Sequence, residues 1–178
     1  IKGKVNYSFY PTPRIKIKDL IINHKDKKST LLKANNVAIK LSFKNLLIKK
    51  KQNFKEIKLN NFIANIDLKN LKKYTNIFSK DISFVPMTFE IGNFILLDKK
   101  NTIATITDSD LDLKIRENSI DAILRGKFLN DSIYINLSSK KINDIPSTDI
   151  ILKISKFNLL TKANYISPKK DQSITNGN

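Results

Sequence analysis

Ile17-Lys18-Asp19-Leu20-Ile21 decides how this chain folds. Before it, Ile15 and Ile17 alternate with Lys16 and Lys18; after Asp19 the apolar series resumes at Leu20 and Ile22, shifted by one residue. Alternation marks a strand with one buried and one wet face, because successive side chains point to opposite sides. A one-residue slip would turn the apolar set outward unless the strand bulges there, and Asn, Asp and Gly tolerate the backbone geometry of a bulge. The same shape recurs as Ala34-Asn35-Asn36-Val37-Ala38, Leu59-Asn60-Asn61-Phe62-Ile63 and Ile91-Gly92-Asn93-Phe94-Ile95. The slips predict long, kinked strands that keep one apolar face. A rival reading makes Asn60-Asn61 and Gly92-Asn93 hairpin loops, since these residues accept positive φ. Lys18-Asp19 is a poor turn, however, and that reading cuts the chain into very short strands.

Outward from these stretches the theme continues. Val5, Tyr7 and Phe9 alternate with polar residues until Pro11-Thr12-Pro13 ends the strand. Strands are predicted from Leu32 to Phe43 and from Phe54 to Leu68, joined through a connection carrying Leu46, Leu47 and Ile48. Leu71, Tyr74 and Phe78 sit at helical spacing behind Asn70, so residues 70–79 form either a short amphipathic helix or a plain linker. Further strands are expected around Phe89–Leu96, Ala104–Ile115 (again with a change of parity), Ile120–Phe128, Ile133–Leu137 and Ile150–Ile154, the last either ending there or continuing to Leu159. The chain is expected to be all-β, a long kinked antiparallel meander curled into an open apolar groove, with at most one short helix near 70–79. Its expected organisation is one domain over residues 1–166, with a first block at 1–68, a helix or linker at 69–83 and a second block at 84–166. Residues 167–178 read as a polar tail or linker.

Net charge is +17 and uneven: residues 1–80 hold 20 Lys and Arg against 4 Asp and Glu, whereas residues 81–178 hold 13 against 12. Two readings stand. The lysines reflect a composition also rich in Ile and Asn, or the first half faces an anionic surface such as lipid headgroups. Nucleic acid is not expected as a partner. Arg14, Arg116 and Arg125 are the only arginines, and the phenylalanines mostly take the apolar parity instead of lying among the lysines.

Few residues suit catalysis, and the chain is not expected to be an enzyme or to need a cofactor. It has no Cys, hence no thiolate metal site, disulfide or cysteine nucleophile. His24, the only histidine, lies in a lysine-rich turn. Asp108-Ser109-Asp110-Leu111-Asp112 opens like a calcium loop, but Leu113 and Ser119 stand where such a loop needs Gly and Glu. Asp110 and Asp112 are better read as the wet side of a strand, and no metal is expected. Asn6-Tyr7-Ser8, Asn130-Asp131-Ser132 and Asn136-Leu137-Ser138 match glycosylation acceptors at the frequency an Asn-rich chain gives by chance.

Several stretches together resemble the AsmA family. Gly3-Lys4-Val5-Asn6-Tyr7-Ser8-Phe9-Tyr10-Pro11-Thr12-Pro13, followed by Ile15-Lys16-Ile17-Lys18-Asp19-Leu20, looks like the opening of an AsmA domain. Ala34 to Ser42, Leu46-Leu47, Ile57 to Phe62, Asn70-Leu71 and Ile91 to Asp98 resemble its later elements, so the likeness covers roughly residues 1–160. AsmA-like proteins are similar to the repeating-β-groove, or bridge-like, lipid transfer proteins. The resemblance implies an apolar trough that holds phospholipid acyl chains during transport between inner and outer membrane and in outer-membrane homeostasis. It further implies the periplasmic side of a Gram-negative inner membrane, other envelope proteins as partners, and an anchor helix upstream of this chain. No apolar run here approaches the ~20 residues that span a bilayer. The expected groove lining is Val5, Tyr7, Phe9, Ile15, Ile17, Val37, Ile39, Leu41, Phe43, Phe62, Ile66, Phe94, Leu111 and Leu113. A closed sandwich core built from the same residues is the competing arrangement. The competing function is an assembly factor that templates outer-membrane β-proteins along open sheet edges.

Overall fold

The computed structural model describes residues 2–24, 29–43, 54–70, 84–116, 118–142 and 145–166, and these form one open ten-stranded sheet. The strands are β1 (Lys2–Ser8), β2 (Arg14–Asn23), β3 (Thr30–Leu41), β4 (Phe54–Asp67), β5 (Phe84–Asp98), β6 (Asn101–Arg116), β7 (Ser119–Phe128), β8 (Asp131–Ile142), β9 (Ile145–Ile154) and β10 (Leu159–Ile166). They lie side by side in chain order. A 3-10 turn at Leu68–Asn70 follows β4. The rest of the segment expected as a helix or linker lies outside the described residues, as do the 44–53 connection and the 167–178 tail. Among the described residues no helix is long and apolar enough to cross a membrane.

The all-β, open meander is the architecture observed, with two departures from the expectation. β4 and β5 run parallel, while the other eight junctions are antiparallel. A tight turn joins antiparallel strands but not parallel ones, so β4 and β5 do not form a hairpin. The second departure is β10, a tenth strand paired along its whole length with β9. Every residue of β10 is exposed, so it carries almost none of the one-sided pattern that marks the other strands.

The slips lie inside strands, not at hairpin tips; from β2 to β5 neighbouring strands slip in step with no shift of register, and at the slips a net bulge stands only against β1 and β7. Asp19, Asn61, Ile91 and Asp108 take positive φ of 53°, 52°, 55° and 46° within β2, β4, β5 and β6. β3 slips at Asn35-Asn36 without one: both are exposed between buried Ala34 and Val37. The registers place these five slips opposite one another, forming a seam across β2 to β6. Its two ends show as register shifts. Between Lys2 and Lys4 of β1 lies one residue, against two between Lys18 and Ile21 of β2; Thr107 and Asp110 of β6 enclose two, against one between Lys127 and Arg125 of β7. Bulges bend a strand and raise its twist. Because neighbouring strands slip together, the bend passes through the sheet while the apolar side chains stay on one face.

The seam is packed tightly. An ideal Cβ on Gly92 would stand 2.2 Å from Cδ1 of Phe62, so the ring occupies the place a side chain would fill. Phe62 is 1 % exposed and meets Phe89 and Phe94 edge-on, with ring centroids 5.3 and 5.0 Å away. Gly126 serves similarly beside the last bulge, where a Cβ would crowd Ile106 and the hydroxyl of Ser109. Ser109 is fully buried and donates to the carbonyl oxygens of Ile106 at 2.9 Å and Thr107 at 3.3 Å, which satisfies a hydroxyl that would otherwise be costly to bury. The sequence places positive φ at Gly92 or Asn93, but Ile91 takes it. Gly92 is needed for space instead, and the strained Ile91 backbone is held by its N–H donating to Oδ1 of Asp110 at 3.0 Å.

Candidate functional site

The cross-strand registers resolve the apolar face into rows that run perpendicular to the strands. One row reads Tyr7, Ile15, Ile39, Ile57, Met87, Leu113, Ala122, Leu137, Ile150 and Ala163, one directly opposed residue from each of the ten strands, and all are apolar or aromatic. The next row reads Val5, Ile17, Val37, Leu59, Phe89, Leu111, Leu124, Ile135, Leu152 and Thr161, apolar until the final strand. Beyond it lie Leu20, Ala34, Phe62, Gly92 and Ser109 along the seam, then Gly126, Ile133 and Ile154. At about 4.8 Å between strands, each ten-strand row is ~43 Å long. One connected cluster of buried and half-buried apolar residues joins β2 to β9. Among the described residues, strands pack appreciably only against their sheet neighbours, and the turn at Leu68–Asn70 only against β5, so no second layer lies over the strip.

The expected lining residues divide into two sets. Val37, Phe62 and Phe94 belong to the buried centre, and Ile17, Ile39, Ile66 and Leu111 pack against it. Ile15, Leu41 and Leu113 are half-buried. Val5, Tyr7, Phe9 and Phe43 are instead largely exposed, at the β1 edge and the nearby end of β3. The expectation missed the far side of the strip. Leu124, Phe128, Ile133, Ile135, Leu152 and Ile154 continue it through β7, β8 and β9. The clean alternation of these strands carried that signal.

The opposite face is polar, and its charge is arranged differently in different regions. In β1 and β2, Lys4 stands directly opposite Lys18, next to Lys16, and Lys2 and Lys33 lie past the seam. None of these five lysines has an ion-pair partner among the described residues. From β6 to β7, by contrast, Asp108 pairs diagonally with Lys127 at 2.9 Å, Asp112 with Arg125 at 3.8 Å and Asp121 with Arg116 at 3.1 Å. Glu90 of β5 gathers Lys58 at 2.6 Å and the Asn60 amide at 3.4 Å. Near β10 the ring of Tyr134 has Arg125 and Lys153 each 5.9 Å from its centroid, beside a shallow open depression lined by Ile151, Leu160 and Lys162.

Among the described residues no three His, Cys, Asp or Glu side chains are grouped so as to hold a metal ion. His24 ends the β2 turn with its N–H donated to the Ser29 carbonyl at 2.9 Å. Among the described residues, the fold and this face define a single-layer, open β-sheet with a wide apolar strip. Comparison with protein-family models, curated proteins and solved structures gave no match for the chain.

Proposed function

We propose that the chain is a lipid-binding segment of an AsmA-like protein: its apolar strip holds phospholipid acyl chains during transport between inner and outer membrane. The observation that carries this reading is the pair of apolar rows, one unbroken across all ten strands and one across nine, with no second layer over them among the described residues. A closed sandwich buries such a face against another sheet. A 16-carbon acyl chain removed from water gains on the order of 12 kcal/mol at ~0.8 kcal/mol per CH2, so a continuous strip offsets most of the cost of lifting a lipid out of a bilayer. Headgroups remain solvated at the open side. The role is binding, not chemical conversion, and it belongs on the periplasmic side of an inner membrane, contributing to outer-membrane homeostasis.

The test uses the absence of native cysteine. A single Leu113→Cys or Leu124→Cys substitution, labelled with an environment-sensitive dye, should report phospholipid entering the middle of the strip. Native mass spectrometry of the unlabelled chain should show lipid adducts. A chain that stays lipid-free, with a dye that ignores added phospholipid, would defeat the reading.

The open edges favour a second reading, in which the chain is a scaffold for outer-membrane β-proteins. β1 and β10 are both exposed edge strands. Such edges expose a row of unpaired N–H and C=O groups to an incoming strand. Crosslinks from β1 or β10 to nascent outer-membrane proteins, with no lipid bound, would favour it.

A further inference from the structure

The corner where β1, β2 and β3 end gathers two kinds of side chain that the rest of the sheet keeps apart. The turn from Phe9 to Pro13 joins β1 to β2, and β3 ends beside it: the Leu41 N–H donates to the Pro13 carbonyl at 2.9 Å. Pro13 is fully buried, while Ser8 Oγ donates to the Tyr10 carbonyl at 3.2 Å and Arg14 Nε to the Thr12 carbonyl at 3.3 Å. The turn is thus pinned. It nevertheless holds Phe9 and Tyr10 68 % and 88 % exposed, and Phe43, two residues past β3, is 58 % exposed. Large aromatic side chains on an anchored turn, unburied by the fold that anchors it, mark an interaction surface.

Basic residues climb away from this corner on the polar face in tiers two residues, or ~7 Å, apart. Arg14 lies nearest the turn, Lys16 next, then Lys18 with Lys4 opposite it. Like charges directly opposed across two strands oppose folding. Composition alone does not explain them, because Arg116, Arg125 and Lys127 of β6 and β7 have acidic partners. The aromatic groups belong to the tip and, with Val5 and Tyr7, to the apolar side of β1, not to the lysine face. That separation suits a bilayer, whose interface takes aromatic rings and whose anionic headgroups attract lysines above them. A single-stranded nucleic acid needs the rings among the cations.

We propose that this corner docks the chain on an anionic membrane, with Phe9, Tyr10 and Phe43 entering the headgroup layer and Arg14, Lys16, Lys18 and Lys4 facing the lipid charge. It deepens the lipid reading by naming the part of the strip that meets a bilayer, and it is tested separately from acyl-chain binding. The chain should cosediment with vesicles of phosphatidylcholine plus phosphatidylglycerol and much less with phosphatidylcholine alone, and high salt should weaken binding about tenfold. Joint Lys4→Gln, Lys16→Gln and Lys18→Gln substitution should weaken it about as much, whereas Arg125→Gln with Lys127→Gln should leave it unchanged. Phe9→Ser, Tyr10→Ser and Phe43→Ser together should abolish the salt-resistant part, with far-UV circular dichroism verifying the sheet. Since the chain has no Trp, Tyr10→Trp supplies a single indole whose emission should shift to the blue on anionic vesicles. Equal binding to neutral vesicles, an unshifted indole, or indifference to both sets of substitutions overturns the proposal. So does displacement from vesicles by a single-stranded oligonucleotide. A chain that carries lipid but does not sediment defeats the docking alone; one that sediments but carries no acyl chain defeats the groove alone.

Discussion

The β1–β3 and β5–β7 regions of this sheet share one apolar strip and differ in what they do with charge. On the polar side of β6 and β7, three acidic residues each meet a cation across the strand boundary. On β1 and β2, Lys4 meets Lys18. Exposed ion pairs stabilise a sheet slightly and opposed like charges destabilise it by a similar amount. The first region therefore keeps an arrangement that folding does not favour, whereas the second is balanced within itself. A surface held against the preference of its own fold is where a partner of opposite charge is expected. The two regions are expected to be one folding unit with two chemistries.

The largest effect belongs to the joint between them. Phe62 of β4 fills the space above Gly92 of β5, across the parallel junction. Phe62→Ala should cost about 3–5 kcal/mol, and Gly92→Ala, which drives a methyl into the ring, about 2–3 kcal/mol. The double variant should cost clearly less than the two together, because removing the ring frees the room the methyl needs. Urea unfolding should show both regions melting in one transition. Two transitions, or strictly additive costs, would separate the regions and break the comparison.

A smaller effect, of opposite sign, lies one residue away. Ile91 is β-branched, takes a φ of 55° and is 62 % exposed. Asn tolerates that backbone better and loses no burial there, so Ile91→Asn should stabilise the chain by about 1 kcal/mol. Asp110→Ala, which removes the carboxylate accepting from the Ile91 N–H, should destabilise it by about the same amount. If Ile91→Asn lowers the midpoint of thermal unfolding, the strain is an intended part of the joint rather than a tolerated one.

How much of this could be read in advance depended on which face of a strand spoke. The slips at Asp19, Asn36, Asn61 and beside Asn93 were legible because hydrophobic burial fixes parity, so a slip shows as a displaced apolar series. Parity does not say which residue bends, and so Ile91 was hidden behind Gly92 and Asn93. Asp110 was correctly placed on the wet side of a strand, but nothing in its own neighbourhood marks it as the anchor of a backbone nineteen residues earlier. The parallel junction of β4 and β5 was illegible because alternation is the same for both directions; only the long interruption from 68 to 83 carried a trace of it. β10 was missed because an edge strand exposed on both sides has no buried parity. For the candidate strip, the first six strands supplied nearly all the expected lining, since the slips drew attention there. The cleaner strands β7 to β9 completed it only when register was known. The charge split was legible as a count, but its meaning was not: pairing across strands, as of Asp112 with Arg125, depends on how the strands are registered.

The smallest effect discriminates best between the two regions, because its sign differs. Lys18→Glu places a carboxylate opposite Lys4 and should stabilise the chain by about 0.5 kcal/mol. Asp112→Lys replaces the carboxylate that lies 3.8 Å from Arg125, diagonally across the β6–β7 boundary, with a cation, and should destabilise the chain by about as much. Both groups are solvent-exposed, so molar salt should shrink the two shifts towards zero, and urea midpoints at low and high salt suffice to check them. If Lys18→Glu destabilises instead, the lysines of β1 and β2 are part of what holds the edge together, and their exposure is no sign of a partner. If it stabilises while lowering sedimentation with phosphatidylglycerol vesicles, one substitution separates what the fold prefers from what the surface does. That outcome also excludes local unfolding of β1 as the reason for lost binding, since the variant would be the more stable protein.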